Sequence, residues 1–160
     1  MTIFCRAVPV LKVANVQASA RWYSEVFGFL ADTFPANPPY SFAILRRDGA
    51  EIMLLRDDQH EADKMRKQQQ GRDFRWDVYL RLADTAVLDL ALVIREKTTI
   101  LRGPERMFYG LVEFEICDPD GHRICISGEP PADAEVEQFV EHGSENHSQV
   151  TRRRRGQNLV

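Results

Sequence analysis

Glu113, Glu115 and Arg123 are the residues whose types and spacing could do chemistry. In the stretch Leu111 to Cys117, Val112, Phe114 and Ile116 alternate with Glu113, Glu115 and Cys117, so two carboxylates project from one face of a strand. The turn Asp118-Pro-Asp-Gly121 returns the chain through Arg123 to Ser127 and puts Arg123 and Cys125 on that face as well. Paired carboxylates beside an arginine can share acid and base work, and the same grouping also makes structural ion pairs. Cys125 has no histidine on its strand face, and Ser127 lies at a strand end beside a glycine, so no nucleophile has a recognisable partner. A metal site from Cys117, His122 and Cys125 would need groups that flank a turn to converge. His60, His142 and His147 lie in polar segments and read as surface histidines.

The elements that carry these residues occur twice. Val8 to Val13, a helix and Arg47-Asp-Gly-Ala-Glu-Ile-Met-Leu54 are echoed by Asp77 to Leu82, another helix and Pro119-Asp-Gly-His-Arg-Ile-Cys-Ile126. In the first half, Asn15 caps a helix Val16 to Phe27 that Gly28 stops. A short strand near Leu30 to Phe34, a proline-rich loop and a strand pair Tyr40 to Leu45 and Glu51 to Leu55 follow, with a tight turn at Asp48-Gly49. Asp77 to Leu82 alternates as a half-buried strand, and the helix Thr85 to Glu96 follows it. Leu101 and a Gly103-Pro104 turn then lead to the Glu113 strand.

Strand parity predicts one aliphatic face: Leu11, Val13, Ile52, Leu54, Leu80, Leu82, Phe114, Ile116, Ile124 and Ile126. The opposite face mixes Val8, Val10, Lys12, Met53, Leu55, Asp77, Tyr79, Arg81, Glu113, Glu115, Arg123 and Cys125, a composition that suits a ligand cleft or a solvated sheet.

With 160 residues the chain is long enough for one domain with a sizeable core. Its net charge is -3, and because Arg152 to Arg155 carry four positive charges the remainder sums to -7, which gives the domain no nucleic-acid footprint. Three cysteines, Cys5, Cys117 and Cys125, are too few for a disulfide scaffold. With no signal-peptide pattern and no membrane-length apolar run, a reduced cytoplasmic location is expected. Asp57 to Arg75 is polar and glutamine-rich and reads as a linker between halves. Ala132 to His142 has Val136, Phe139 and Val140 at helical spacing, and Ser144 to Val160 reads as a basic arm.

Ala7-Val-Pro-Val-Leu, Arg21-Trp-Tyr with Phe27-Gly-Phe29, Asp77-Val-Tyr-Leu-Arg-Leu, Gly103-Pro, Tyr109-Gly-Leu-Val-Glu-Phe114 and Asp118-Pro-Asp-Gly121 together resemble the vicinal oxygen chelate superfamily, over about Ile3 to Glu129. That superfamily includes glyoxalases, bleomycin resistance proteins and extradiol dioxygenases, and the pattern is most similar to the bleomycin resistance proteins. The resemblance implies an α+β fold in which two βαβββ half-units, about 3–56 and 76–129, form a curled mixed sheet around a cleft. A C-terminal helix at 130–143 and a basic tail at 144–160 would follow.

The resemblance also implies where a divalent metal would be held in the enzymes of the group. The matching positions here are Val8, Met53, Asp77 and Cys125, of which only Asp77 is an ordinary ligand for such metals. No metal, cofactor or catalytic residue is therefore expected, and the leading expectation is a small-molecule binding protein of the bleomycin-resistance type. The alternative is an atypical enzyme of the group, a lyase, isomerase or dioxygenase with a displaced metal site. Residues expected to contact ligand are Tyr40, Phe42, Met53, Trp76, Asp77, Tyr79, Phe108, Tyr109, Glu113, Glu115 and Cys125. The carboxylates among them favour a cationic or polar ligand. The resemblance further implies a homodimer with clefts at or near the subunit interface. A regulatory or scaffold role through the basic tail is a third reading, with no nucleic-acid or membrane partner expected.

Overall fold

The sequence repeat is a repeat of topology. The computed structural model describes residues 5–59 and 76–137. Strands β1 (Val10–Val13), β2 (Leu30–Phe34), β3 (Phe42–Arg47) and β4 (Ala50–Arg56) form one sheet in the order β1-β4-β3-β2. Strands β5 (Val78–Arg81), β6 (Ile100–Arg106), β7 (Val112–Cys117) and β8 (Arg123–Gly128) form a second in the order β5-β8-β7-β6. In both sheets the first strand runs parallel to the last and the other pairs are antiparallel. Met53 on β4 stands opposite Val10, and Cys125 on β8 stands opposite Tyr79, so the two halves are equivalent residue by residue. This is the expected α+β arrangement of two half-units, built as two four-stranded mixed sheets that do not close.

Helix α1 (Val16–Phe27) follows β1 and helix α2 (Val87–Arg95) follows β5. The start of α1 is set by Asn15, whose side-chain oxygen accepts from Ala18 N at 3.0 Å, a cap that stabilises a helix by about 1 kcal/mol. Gly28 ends it with φ 73, and its N–H donates to Ser24 O at 2.8 Å. The buried face, Val16, Ser19, Ala20, Tyr23, Val26 and Phe27, follows helical spacing and packs on β3 and β4. Below it lie Leu11, Val13, Ile52 and Leu54, and under α2 lie Phe114, Ile116, Ile124 and Ile126, all in one core. Burying each such side chain is worth roughly 1.5–3 kcal/mol.

The Asp118-Pro-Asp-Gly121 turn joins the halves. Asp120 accepts from Ala14 N at 2.9 Å and from the Ser19 hydroxyl at 2.5 Å, so it seizes the start of α1. Asp118 Oδ2 accepts from the Tyr23 hydroxyl at 3.0 Å and lies 2.8 Å from His122 Nδ1, while Asp118 Oδ1 accepts from the backbone N–H groups of Asp120 and His122. Burial, reinforced by Asp118, raises the Tyr23 pKa well above that of a free phenol, so the hydroxyl remains a donor. His122 is thus part of a buried structural clamp, and among the described residues no group of His, Cys, Asp and Glu is arranged to hold a metal ion.

Several boundaries differ from the sequence reading. The first strand begins at Val10, not Val8, because Pro9 lacks an N–H; its carbonyl accepts from Met53 N just ahead of the ladder. The second helix begins at Val87, after Asp84 has accepted the Ala86 N–H in a local turn. The expected Gly103-Pro104 turn is instead the middle of β6, which pairs with β7 through register shifts on either side of Arg102. Gly103 makes this possible: its φ is 78, and a Cβ there would lie 2.3 Å from Glu113 O. Ala132 to Glu137, the first part of the expected C-terminal helix, are not helical; Ala134 N donates to Pro131 O at 3.1 Å in a turn, and Arg106 N donates to Glu137 O at 2.7 Å. Most of the Asp57 to Arg75 linker and the rest of the C-terminal extension, with the arginine run, lie outside the described residues.

Candidate ligand-binding site

On the first sheet, the face away from α1 has an apolar centre, with Lys12 and Asp32 at the ends of its rows. Val10, Met53 and Ile44 form one row across β1, β4 and β3, and Leu55, Phe42 and Phe34 form the next. The Phe34 and Phe42 rings are 6.1 Å apart, and Val10, Phe34 and Leu55 are exposed. Met53 falls on this surface as parity predicts and Phe42 joins it, both half-buried, whereas Tyr40 packs against the hydrophobic core.

The equivalent face of the second sheet is different. Glu113, Glu115 and Cys125 are fully buried there beneath other polar and aromatic side chains. Glu115 Oε1 accepts from Trp76 Nε1 at 2.8 Å and from Arg102 Nε at 2.7 Å, and its Oε2 accepts from Arg123. Glu113 Oε1 accepts from the hydroxyls of Tyr79 at 2.7 Å and Tyr109 at 2.5 Å. Arg102 Nη2 approaches Glu113 Oε2 at 3.4 Å, and Arg102 also pairs with Glu105. Trp76 and Tyr79 are in ring contact at 5.3 Å.

Electrostatics follow from this geometry. Burial acts to raise the Glu115 pKa, but hydrogen bonds from Trp76 and Arg102 and the charges of Arg102 and Arg123 outweigh it and hold the carboxyl below the ordinary glutamate range. Burial, followed by the nearby Glu113 charge, pushes the Cys125 thiol far up, and burial with Asp118 raises Cys117. Neither is a thiolate nucleophile. Burial and Glu113 likewise keep the Tyr79 and Tyr109 phenols protonated, although Ser127 partly opposes this at Tyr79.

The remaining expected residues flank the network. Asp77 is exposed, and its Oδ2 accepts from Arg123 N at 2.8 Å. Phe108 is 91% exposed and meets Tyr109 edge-on at 4.7 Å. The expected set is thus divided between an open apolar face on one sheet and a filled, charge-paired face on the other. The sequence reading does not include Arg102 and Glu105. Arg102 and Glu105 lie on the strand that Gly103-Pro104 disguised as a turn, so parity was not extended to them.

A model of the Glyoxalase/Bleomycin resistance protein/Dioxygenase superfamily matches residues 7–126. The chain belongs to that superfamily. No curated protein sequence matches it. Among solved structures, a virulence protein from Salmonella typhimurium is 26% identical with a TM-score of 0.57, over 81% of this chain and 99% of that one. TioX from a Micromonospora species is 17% identical with a TM-score of 0.59, over 79% and 99% of the two chains. The bleomycin-binding protein of Streptomyces verticillus, in complex with copper(II)-bleomycin, is 19% identical with a TM-score of 0.51, over 82% and 99%. At these last two identities the likeness is one of fold.

Membership in a superfamily that includes metalloenzymes raises the question of whether the residues here fit a divalent cation. Val8 offers no donor atom, Met53 offers a soft thioether, and the Cys125 thiol is buried and held protonated. Asp77 is engaged by the Arg123 backbone. One carboxylate among such neighbours does not fit the two or three converging oxygen or nitrogen donors that a catalytic metal requires.

Proposed function

We propose that the protein is a small-molecule binding protein of the bleomycin-resistance type, which holds its ligand without covalent or metal chemistry. The observation that carries this reading is the donor set just described, in which the positions that would hold the metal present an alkyl group, a thioether, a sealed thiol and one engaged carboxylate. The apolar face bearing Phe42, Phe34 and Met53 supplies stacking and soft contacts, and Trp76, Tyr79, Phe108 and Tyr109 supply ring surface on the other sheet. A bleomycin-binding protein among the structural neighbours supports a ligand-holding role for this fold.

On this reading the binding domain spans 1–129 and works as a homodimer, the exposed apolar face of the first sheet meeting a second copy so that each cleft is completed at the interface. No helix of the described residues is long and apolar enough to cross a membrane. The test is elemental mass spectrometry on untagged protein after incubation with Mn, Fe, Ni and Zn, paired with calorimetric titration of metal-free and copper(II)-bleomycin. Saturable ligand binding without stoichiometric metal retention is expected. Near-stoichiometric metal that disappears in Asp77→Ala would overturn the reading and return the chain to the enzymes of the superfamily.

A further inference from the structure

At one end of the second sheet, the turn between β6 and β7 and the segment that leaves β8 bound a cavity of about 370 Å³. Tyr109, Leu111 and Pro130 line it, together with Arg106 from the end of β6 and Glu129 from the exit of β8. The volume falls at the lower end of small-molecule sites, which run from about 300 to 1,000 Å³.

Its charges are opposite and unspent. Arg106, Val112 and Gly128 stand in one row across β6, β7 and β8, so Arg106 and the residue before Glu129 lie about 10 Å apart at the backbone. The two side chains line one cavity but form no ion pair with each other. The Arg106 guanidinium reaches only Gly110 O, at 3.4 Å, and Glu129 is exposed with no hydrogen bond or ion pair among the described residues. Ring surface is held beside them: the Tyr109 hydroxyl donates to the buried Glu113 at 2.5 Å, which anchors the ring as a wall. Phe108, 91% exposed, meets that ring edge-on and adds aromatic surface next to it. Pro130 is a rigid wall that loses little freedom when a ligand packs on it.

We propose that this cavity binds the zwitterion of a free aromatic α-amino acid, its carboxylate on Arg106, its ammonium on Glu129 and its ring against Tyr109 and Pro130. A guanidinium accommodates a carboxylate through two parallel bonds, and a carboxylate takes an ammonium through charge-assisted ones. A simple anion would leave Glu129 unanswered and a simple cation would leave Arg106 so, whereas a ligand carrying both charges satisfies both walls. A residue inside a peptide carries neither charge on its backbone, so the occupant is the free amino acid. The site lies at the end of the second sheet, away from the apolar face of the first, and does not depend on the ligand-binding reading above.

The test is a titration of the isotope-labelled full chain followed by NMR at the Gly110 and Ala132 amides, which border the cavity. The probes are L-phenylalanine, phenethylammonium, which lacks the carboxylate, and hydrocinnamate, which lacks the ammonium. Phenylalanine is expected to bind saturably and each single-charge analogue about tenfold more weakly. Arg106→Gln should erase the advantage of phenylalanine over phenethylammonium and keep its advantage over hydrocinnamate, and Glu129→Gln should do the reverse. Neither side chain holds another element in place, so both variants should fold. No saturable shift with phenylalanine, an advantage below about threefold over either analogue in wild type, or unchanged discrimination in both variants would overturn the proposal. Each of those outcomes leaves the reading of a ligand-binding cleft standing, whereas metal retention that depends on Asp77 would end that reading and not this one.

Discussion

Arg102 Nε lies 2.7 Å from Glu115 Oε1 while its Nη2 lies 3.4 Å from Glu113 Oε2, so one guanidinium spans both carboxylates of β7. The pairing depends on β6 running alongside β7, and the register shifts on either side of Arg102 set where its side chain meets the carboxylates. The sheet face that sequence parity offered as a cleft wall is consequently filled by the protein's own ions. What remains for a ligand on this side is ring surface at Trp76, Tyr79 and Tyr109, whose polar atoms are turned inward to Glu113 and Glu115.

Replacing that guanidinium tests its weight. Arg102→Met preserves much of the side-chain volume but leaves two buried carboxylates short of a cation, and breaking such a buried pair costs roughly 3–5 kcal/mol. Urea denaturation at neutral pH is expected to show a loss of this size with an unchanged m-value. A loss below ~1 kcal/mol would mean that the ions behave as solvent-exposed pairs.

The lowered Glu115 pKa has a definite consequence for acid stability. A carboxyl whose folded value is depressed contributes stability that is fully present above the ordinary glutamate value of about 4.3 and is lost as pH falls through the folded value. Melting temperatures followed from pH 7 downward should therefore fall more steeply in wild type than in Glu115→Gln. Parallel curves for the two proteins would contradict the assignment.

The thiols should differ in reactivity. Cys125 is buried with its pKa pushed far up, Cys117 is half-buried and also raised, and Cys5 is exposed. A disulfide reagent at pH 8 is expected to modify Cys5 rapidly and Cys125 only on unfolding, with peptide mass spectrometry assigning the sites. Rapid native-state labelling of Cys125 would show that the face is open.

Gly103 is the residue on which the β6 register turns. Any Cβ there meets Glu113 O at 2.3 Å in a backbone with φ 78, so Gly103→Ala must displace β6 from β7. A destabilisation of more than ~2 kcal/mol is expected, read by chemical denaturation, together with loss of the Trp76 fluorescence environment as Arg102 moves. A Gly49→Ala control, where nothing lies within 4 Å of the added Cβ, should cost much less.

Local chemistry made much of this fold legible along the chain. Asn15 and Gly28 delimit α1 because a side-chain cap and a left-handed terminus act within one turn of backbone. The alternation of Val112, Phe114 and Ile116 with Glu113 and Glu115 declares a strand, and the two copies of the Asp-Gly turn with an aliphatic strand behind it declare the repeat. Those signals extend over a few residues, which is why they survive without knowledge of the rest.

Only the tertiary structure decided what those residues meet. Parity says that Glu113 and Glu115 share a face, but their partners Arg102, Trp76, Tyr79 and Arg123 come from neighbouring strands and from the residues just before β5. Gly103-Pro104 reads locally as a turn, and it becomes a strand only because β7 supplies hydrogen-bond partners and Gly103 tolerates the close approach of Glu113 O. The clamp of Asp118 and Asp120 on Tyr23, Ser19 and Ala14 joins positions about a hundred residues apart, as the separations of 95, 101 and 106 show. Short-range periodicity determined the elements and their faces; the pairing of buried charges, and with it the distinction between a cleft wall and a filled one, was decided by contacts between elements.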